Sequence, residues 1–150
     1  MVVVFLCACK SASVTPVIEG ITFNAHVFYF NKEYTCSVDV AKGGDMVLTI
    51  TEPELLSGAK VVLAGKEAYA EFRDIKYPVD PNRAEGVPYF LLGVLRDAKT
   101  KKGEQKGDAY ILSGQWQDTQ YQMFLAGSGL PLKLTAENIE IEIYDAKISN

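Results

Sequence analysis

The chain alternates apolar and polar residues over most of its length, and this alternation constrains the fold more than any other feature. In the stretch YTCSVDV, residues 34–40, Tyr34, Cys36, Val38 and Val40 share one face, and the residues between them share the other. The last such stretch repeats the pattern, with isoleucines alternating with Glu140 and Glu142. Such segments predict strands of an antiparallel sheet that buries one face and exposes the other.

Only one stretch has a helical period. In VPYFLLGVLRDAK, residues 87–99, apolar residues recur at spacings of three and four, and Pro88 suits a first turn. The strand predictions around this stretch are 22–31, 34–40, 46–51, 59–64, 67–73, 109–113, 116–126, 130–136 and 139–144, with Lys32-Glu33 as the first hairpin turn and 78–86 as an irregular link. The sequence therefore predicts an α+β, mainly antiparallel fold of about eight or nine strands and one helix.

A single helix of about 13 residues, roughly 20 Å long, is too small to cover a flat sheet of that size. A strongly curved sheet that wraps the helix as a half-open barrel solves the problem. The interior of such a barrel is an apolar concavity. From the alternation we expect its walls to include Val38, Leu48, Phe90, Leu91, Val94, Leu95, Met123 and Leu134.

The first nine residues differ in composition from the rest, because every charged residue follows Cys9. The apolar run at 2–6 has the shape of the end of a secretory leader, and Leu6-Cys7-Ala8-Cys9 resembles the lipobox of bacterial lipoproteins. This resemblance implies acylation of Cys9, with 1–8 as the leader, 9–20 as a polar tether and 21–150 as the folded domain. The basic start of a leader is missing, and the alternative is a hydrophobic first strand.

The order of parts also resembles a known family. The segment TITEPELLSGAKVVLAG has a strand, a proline-containing step and a new strand, and MFLAGSGLPLKLTAENIEIEIY has a strand, a glycine-rich turn and a closing pair. With the lipobox, these resemble the lipoprotein-carrier superfamily of LolA, LolB and LppX-type lipoproteins. The resemblance implies an open barrel plugged by a helix, which holds a lipid or the acyl chain of a lipoprotein.

Several classes of function lack support in the sequence. A net charge of -4 and a pI near 5.0 argue against nucleic-acid binding. The single histidine, His26, lies on the polar face of a strand, and no motif supplies a nucleophile for a hydrolase. We therefore expect no enzyme activity, no metal site and no cofactor, and we expect Cys36 to be a buried thiol.

Two features allow a plain and a functional interpretation. The basic run KTKKGEQK, residues 99–106, is either a solvated loop or a contact with anionic lipid head groups. Trp116 and Tyr121 either line the mouth of the concavity or pack in the core.

These patterns together predict a monomeric lipoprotein that is anchored outside the cytoplasm, in the cell envelope, through Cys9. Its half-barrel binds or carries a hydrophobic or amphiphilic ligand. The alternative is a sensor or adaptor module without enzyme activity, which binds a protein or peptide partner through the curved sheet or its edge. A packed, dry concavity favours the alternative.

Overall fold

A computed structural model describes residues 11–80 and 86–150. The leader and the lipobox, including Cys7 and Cys9, lie outside these residues. The described part contains one helix, α1 (Val87–Ala98), a short 3-10 helix (Glu54–Leu56) and twelve strands: β1 (Ser13–Val14), β2 (Ile21–Tyr29), β3 (Lys32–Val40), β4 (Met46–Glu52), β5 (Lys60–Ala64), β6 (Glu67–Phe72), β7 (Ile75–Val79), β8 (Gly103–Lys106), β9 (Ala109–Trp116), β10 (Thr119–Leu125), β11 (Pro131–Ala136) and β12 (Ile139–Ile148).

All twelve strands form one antiparallel, open and curved sheet in the order β1-β8-β9-β10-β11-β12-β2-β3-β4-β5-β6-β7. From β2 the chain builds outward to β7, then passes through α1 to the opposite side of the sheet. From there it builds inward again until β12 pairs with β2 over eight residue pairs, with Ile139 opposite Tyr29 and Ile148 opposite Ile21. The centre of the sheet is therefore formed by strands that lie far apart in the sequence.

The predicted half-barrel around one helix is confirmed. The strand count was too low, because three short strands, β1, β7 and β8, were not predicted. β7 falls partly in the segment interpreted as an irregular link, since Pro78 suggested a break. β8 falls in the basic run at 99–106, so part of that run is paired strand rather than free loop.

Two predicted turns were misplaced. The β2–β3 hairpin turns at Phe30-Asn31 instead of Lys32-Glu33, and Phe30 has a φ of 52°. The apolar run Phe28-Tyr29-Phe30 concealed this turn, because a phenylalanine rarely adopts a left-handed backbone. Trp116 ends β9 instead of starting β10, and the turn between the two strands lies at residues 117–118.

Helix α1 agrees with its predicted bounds within one residue. Pro88 lies in its first turn, and its apolar stripe is buried on the concave side of the sheet. None of the helices in the described ranges is long and apolar enough to cross a membrane.

The segment before β2 belongs to the folded body. Ser13 and Val14 pair with Glu104 and Gly103 of β8, and Ile18 is buried in the core. The backbone N–H of Val17 donates to the carbonyl of Gly129 at 2.9 Å. The ordered domain thus starts earlier than the predicted boundary at residue 21.

Strand β7 forms one edge of the sheet, and its sequence restricts pairing with a further strand. The turn before it has positive φ at both Arg73 and Asp74, and it joins the cross-strand pair Phe72 and Ile75. In such a two-residue hairpin this pair is hydrogen bonded, so Lys76 and Pro78 direct their backbone groups away from β6. Because proline has no N–H, Lys76 is the only residue of β7 whose backbone N–H points to the free edge.

Candidate functional site

The structure brings all eight predicted wall residues together in the core on the concave side. Seven of them are at most 1% exposed, and Phe90 is half-buried against the same cluster. These residues pack as one contiguous core: Val38, Leu48, Phe90, Leu91, Val94, Leu95, Met123 and Leu134. The concave side is thus occupied by α1 in this structure.

Helix α1 is fastened mainly to the β9–β10 half of the sheet. The indole of Trp116 covers Gly93 so closely that a Cβ at position 93 would lie 2.1 Å from it. The hydroxyl of Tyr121 donates to Asp97 at 2.6 Å, and Lys101 donates to the other carboxylate oxygen at 2.9 Å. Burial, together with the bond to Asp97, raises the pKa of Tyr121, so its hydroxyl stays a donor. Trp116 and Tyr121 therefore hold the helix in place.

The opposite half of the concave face is less completely covered. Helix α1 makes its principal sheet contact with β9, and smaller contacts with β4 and β5. We call strands β5, β6 and β7 the wing. The cross-strand register places these wing residues on the concave face: Val61, Leu63, Ala68, Ala70, Phe72, Ile75, Tyr77 and Val79.

Burial along the wing decreases towards one end of the barrel. Leu63 and Ala68 are buried, Ala70 is half-buried, and Ile75 and Tyr77 are 53% and 55% exposed. The apolar concave face thus continues from the packed core onto an open surface beside the helix.

More exposed apolar residues surround this open end. The β2–β3 turn, the β4–β5 connection and the β6–β7 turn all lie at the same end of the antiparallel sheet, and they span roughly 20 Å at about 4.8 Å per strand. We call their exposed apolar side chains the apolar rim: Tyr29, Phe30, Leu55, Leu56, Ile75 and Tyr77. Phe30 and Leu55 are the most exposed of them, at 67% and 74%. Sequence reasoning missed this rim, although the leucines at 55–56, inside a loop, were a usable signal.

A residue near the rim carries a buried polar atom. Tyr34 in β3 is on the concave face, opposite Val27, and its hydroxyl oxygen is buried without a hydrogen-bond partner. Burial raises the pKa of Tyr34, and the nearby Cys36 thiol adds a smaller effect in the same direction. Cys36 is itself fully buried, and burial raises its pKa to about 12, so both groups are neutral at physiological pH.

The outer face carries grooves whose linings include many polar side chains. A groove of about 860 Å³ crosses β12, β2, β3, β4 and β5, and its lining includes Thr22, Asn24, Ser37, Asp39, Thr49, Lys60, Asp145 and Lys147. A smaller groove of about 440 Å³ contains His26, whose Nε2 lies 3.5 Å from a carboxylate oxygen of Glu33. Among residues 11–80 and 86–150, no three His, Cys, Asp or Glu side chains form a group that could hold a metal ion. Both linings combine polar side chains with apolar surface, and Tyr34 also lines the smaller groove.

Comparison with solved structures connects this geometry to known proteins. An uncharacterized conserved protein from Thermus thermophilus superimposes with a TM-score of 0.52 at 15% identity, over 87% of this chain and 80% of that protein. A LolA superfamily protein from Nitrosomonas europaea superimposes with a TM-score of 0.52 at 11% identity, over 91% of this chain and 89% of that one. The fold is LolA-like.

At these identities the similarity shows the fold alone. No family model matches the sequence, and no curated protein matches it significantly. Within the LolA-like fold, the half-barrel and its internal helix agree with the resemblance seen in the sequence. The function has to be argued from the concave face itself.

Proposed function

We propose that the protein binds an acyl chain or another amphiphile on the concave side of the half-barrel, between α1 and the wing. The observation that carries this proposal is the continuity of the apolar face, which leads from the buried Leu63 to the exposed Ile75 and Tyr77 without an intervening charge on that face. A ligand chain that covers this surface removes its apolar area from water.

The energetics favour a single chain. Each buried methylene contributes about 0.8 kcal/mol, so about ten methylenes contribute about 8 kcal/mol before the entropic costs of binding are subtracted. Deeper binding requires the wing to separate from α1. The fastening of α1 to β9 and β10 supports this direction of opening, because the contacts on the wing side are smaller.

The test is native mass spectrometry of the protein extracted gently from a lipid-rich host, before and after incubation with envelope lipids. We expect an added mass that is lost on denaturation, and its loss in the Ile75→Asp and Tyr77→Asp double variant, which places charges on the wing. Leu132→Asp is the matched control, because Leu132 is 49% exposed in β11, on the other half of the sheet. Protein that stays bare in both experiments would rule the proposal out.

We further propose that the protein is a lipoprotein of the cell envelope, acylated at Cys9. The support is the lipobox-like sequence, which lies outside the described residues. Metabolic labelling with a fatty acid tests it: Cys9→Ser should abolish incorporation and release the protein from the membrane fraction, and Cys7→Ser should leave both unchanged. Equal labelling of the Cys9→Ser variant would contradict the anchor.

The second candidate function is a module that binds a protein or peptide. The packed core favours it, because side chains of α1 and of the sheet fill the inner part of the concave side. Addition of a peptide strand to β7 is disfavoured by Pro78, so such a partner would use the apolar rim. A bare protein in the lipid experiment that captures a defined peptide would favour this candidate.

A further inference from the structure

Tyr34 and Tyr121 both lie on the concave face, and only one of their hydroxyls has a partner in the described part of the chain. The hydroxyl of Tyr121 bonds to Asp97, but the hydroxyl of Tyr34 has no hydrogen-bond partner in the structure. A buried hydroxyl without a partner costs about 1–3 kcal/mol. Phenylalanine would fill the same space without this cost, so the unpaired hydroxyl of Tyr34 needs an explanation.

The position of Tyr34 suggests what the hydroxyl meets. Tyr34 lies three positions after the β2–β3 turn, whose Phe30 belongs to the apolar rim. Beyond Tyr34, the concave face of β3 continues inward through Cys36 and Val38, which are fully buried. Tyr34 therefore lies where the packed apolar surface meets the open end of the barrel, and it also lines the groove that contains His26 and Glu33.

We propose that the hydroxyl of Tyr34 donates a hydrogen bond to the carbonyl oxygen at the polar end of a bound acyl chain. This inference rests on the proposed function and adds the orientation of the ligand: the polar end lies near the rim, and the hydrocarbon extends along the concave face. The group recognised is an acyl carbonyl, which a free fatty acid and an esterified lipid share. Because the hydroxyl is neutral at physiological pH, it donates to either acceptor without electrostatic repulsion.

The test compares three probes of equal chain length, dodecanoic acid, methyl dodecanoate and dodecane, by isothermal titration calorimetry on the full chain. We expect Tyr34→Phe to weaken binding of both the acid and the ester about tenfold, the usual effect of losing one hydrogen bond, and to leave dodecane unchanged. An effect on the acid alone would assign the site to free fatty acids, and an effect on both probes would assign it to acyl carbonyls in general.

Tyr121→Phe is the matched control, because it removes a buried tyrosine hydroxyl that already has a partner. We expect this control to lower stability and to leave the relative affinities of the three probes unchanged. By contrast, Tyr34→Phe should be at least as stable as the wild type, since it removes an unpaired polar atom.

Two results would overturn the inference, and they have different meanings. If the wild type binds all three probes and Tyr34→Phe binds each of them with the affinity of the wild type, the ligand's polar end does not contact Tyr34. The proposed function then stands. If the wild type binds none of the probes, dodecane included, the inference and the acyl-chain function both fail.

Discussion

At the scale of single residues, the contact between Gly93 and Trp116 shows how α1 is positioned. A Cβ at position 93 would lie 2.1 Å from one indole atom and 2.4 Å from another, closer than real Cβ atoms come. Glycine is a poor helix former, and it costs about 1 kcal/mol relative to alanine within a helix. Glycine is needed at position 93 in spite of this cost, because the indole of Trp116 occupies the space that a side chain would fill.

We therefore expect Gly93→Ala to destabilise the protein by about 1–2 kcal/mol. The 2.1 Å approach puts the cost of overpacking in the upper part of its usual range of about 1–3 kcal/mol, and the gain in helix propensity offsets only about 1 kcal/mol of it. Urea unfolding measures the change, and the emission of Trp116, the single tryptophan, reports its displacement. Gly43→Ala is the control, because nothing lies within 4 Å of its Cβ position, and it should change stability by less than about 0.5 kcal/mol. Equal stability of the Gly93→Ala variant and the wild type, with unchanged emission, would contradict the contact.

The buried thiol of Cys36 predicts a loss of stability in alkali. Its pKa is raised from an ordinary value near 9 to about 12, so above about pH 9 the unfolded chain releases this proton and the folded chain keeps it. The unfolded state then binds fewer protons, and the free energy of unfolding falls as pH rises. The contribution is fully present below about pH 9, and about 1 kcal/mol is lost by about pH 9.5.

Urea unfolding of the reduced protein at about pH 7.5 and about pH 9.5 measures this loss. Cys36→Ala is less stable at both values, because it leaves a small cavity, but the difference between the two pH values should shrink. The idea fails if the variant and the wild type lose the same free energy over this interval.

At the scale of elements, local pattern predicted some strands and missed others for physical reasons. Strand β3 and the first part of β12 were predictable because each alternates apolar and polar residues over a half-buried length. Strand β7 contains Pro78, which is compatible with a strand only at an edge, and a local sequence does not reveal which strand is an edge. Strand β8 is almost wholly polar, and its place depends on pairing with β1 and β9.

The candidate site was predictable to a similar extent. Apolar spacing was enough to identify residues of the core such as Leu48 and Leu91, because these side chains are buried in any register that keeps the pattern. It was not enough to identify the exposure of Ile75 and Tyr77, or the unpaired hydroxyl of Tyr34. Those properties depend on where the helix lies across the sheet, which is a tertiary effect.

The free edge of β7 leads to a prediction about self-association. Pro78→Val restores a backbone N–H that points away from β6, and it supplies a residue with high β propensity. We expect the variant to self-associate through paired edges, as a concentration-dependent increase in mass in analytical ultracentrifugation.

The control for edge pairing is Pro78→Val combined with Val79→Pro. Val79 pairs with Ala68, so a proline at this position removes a hydrogen bond within the sheet and frays the edge. We expect this double variant to stay unassociated. If Pro78→Val alone shows no increase in mass over the wild type, Pro78 does not protect the edge.

At the scale of the whole molecule, the pairing of β2 with β12 sets the order in which the fold can form. Between Tyr29 and Ile139, which pair with each other, the ribosome adds about 110 residues. At about 5–20 residues per second, β2 lacks its partner strand β12 for roughly 5–20 seconds of synthesis. Such long-range pairing also slows folding once the chain is complete. During synthesis the nascent chain therefore passes through an interval in which the centre of the sheet has not formed. A translocation machine that requires an extended polypeptide would accept the chain during this interval.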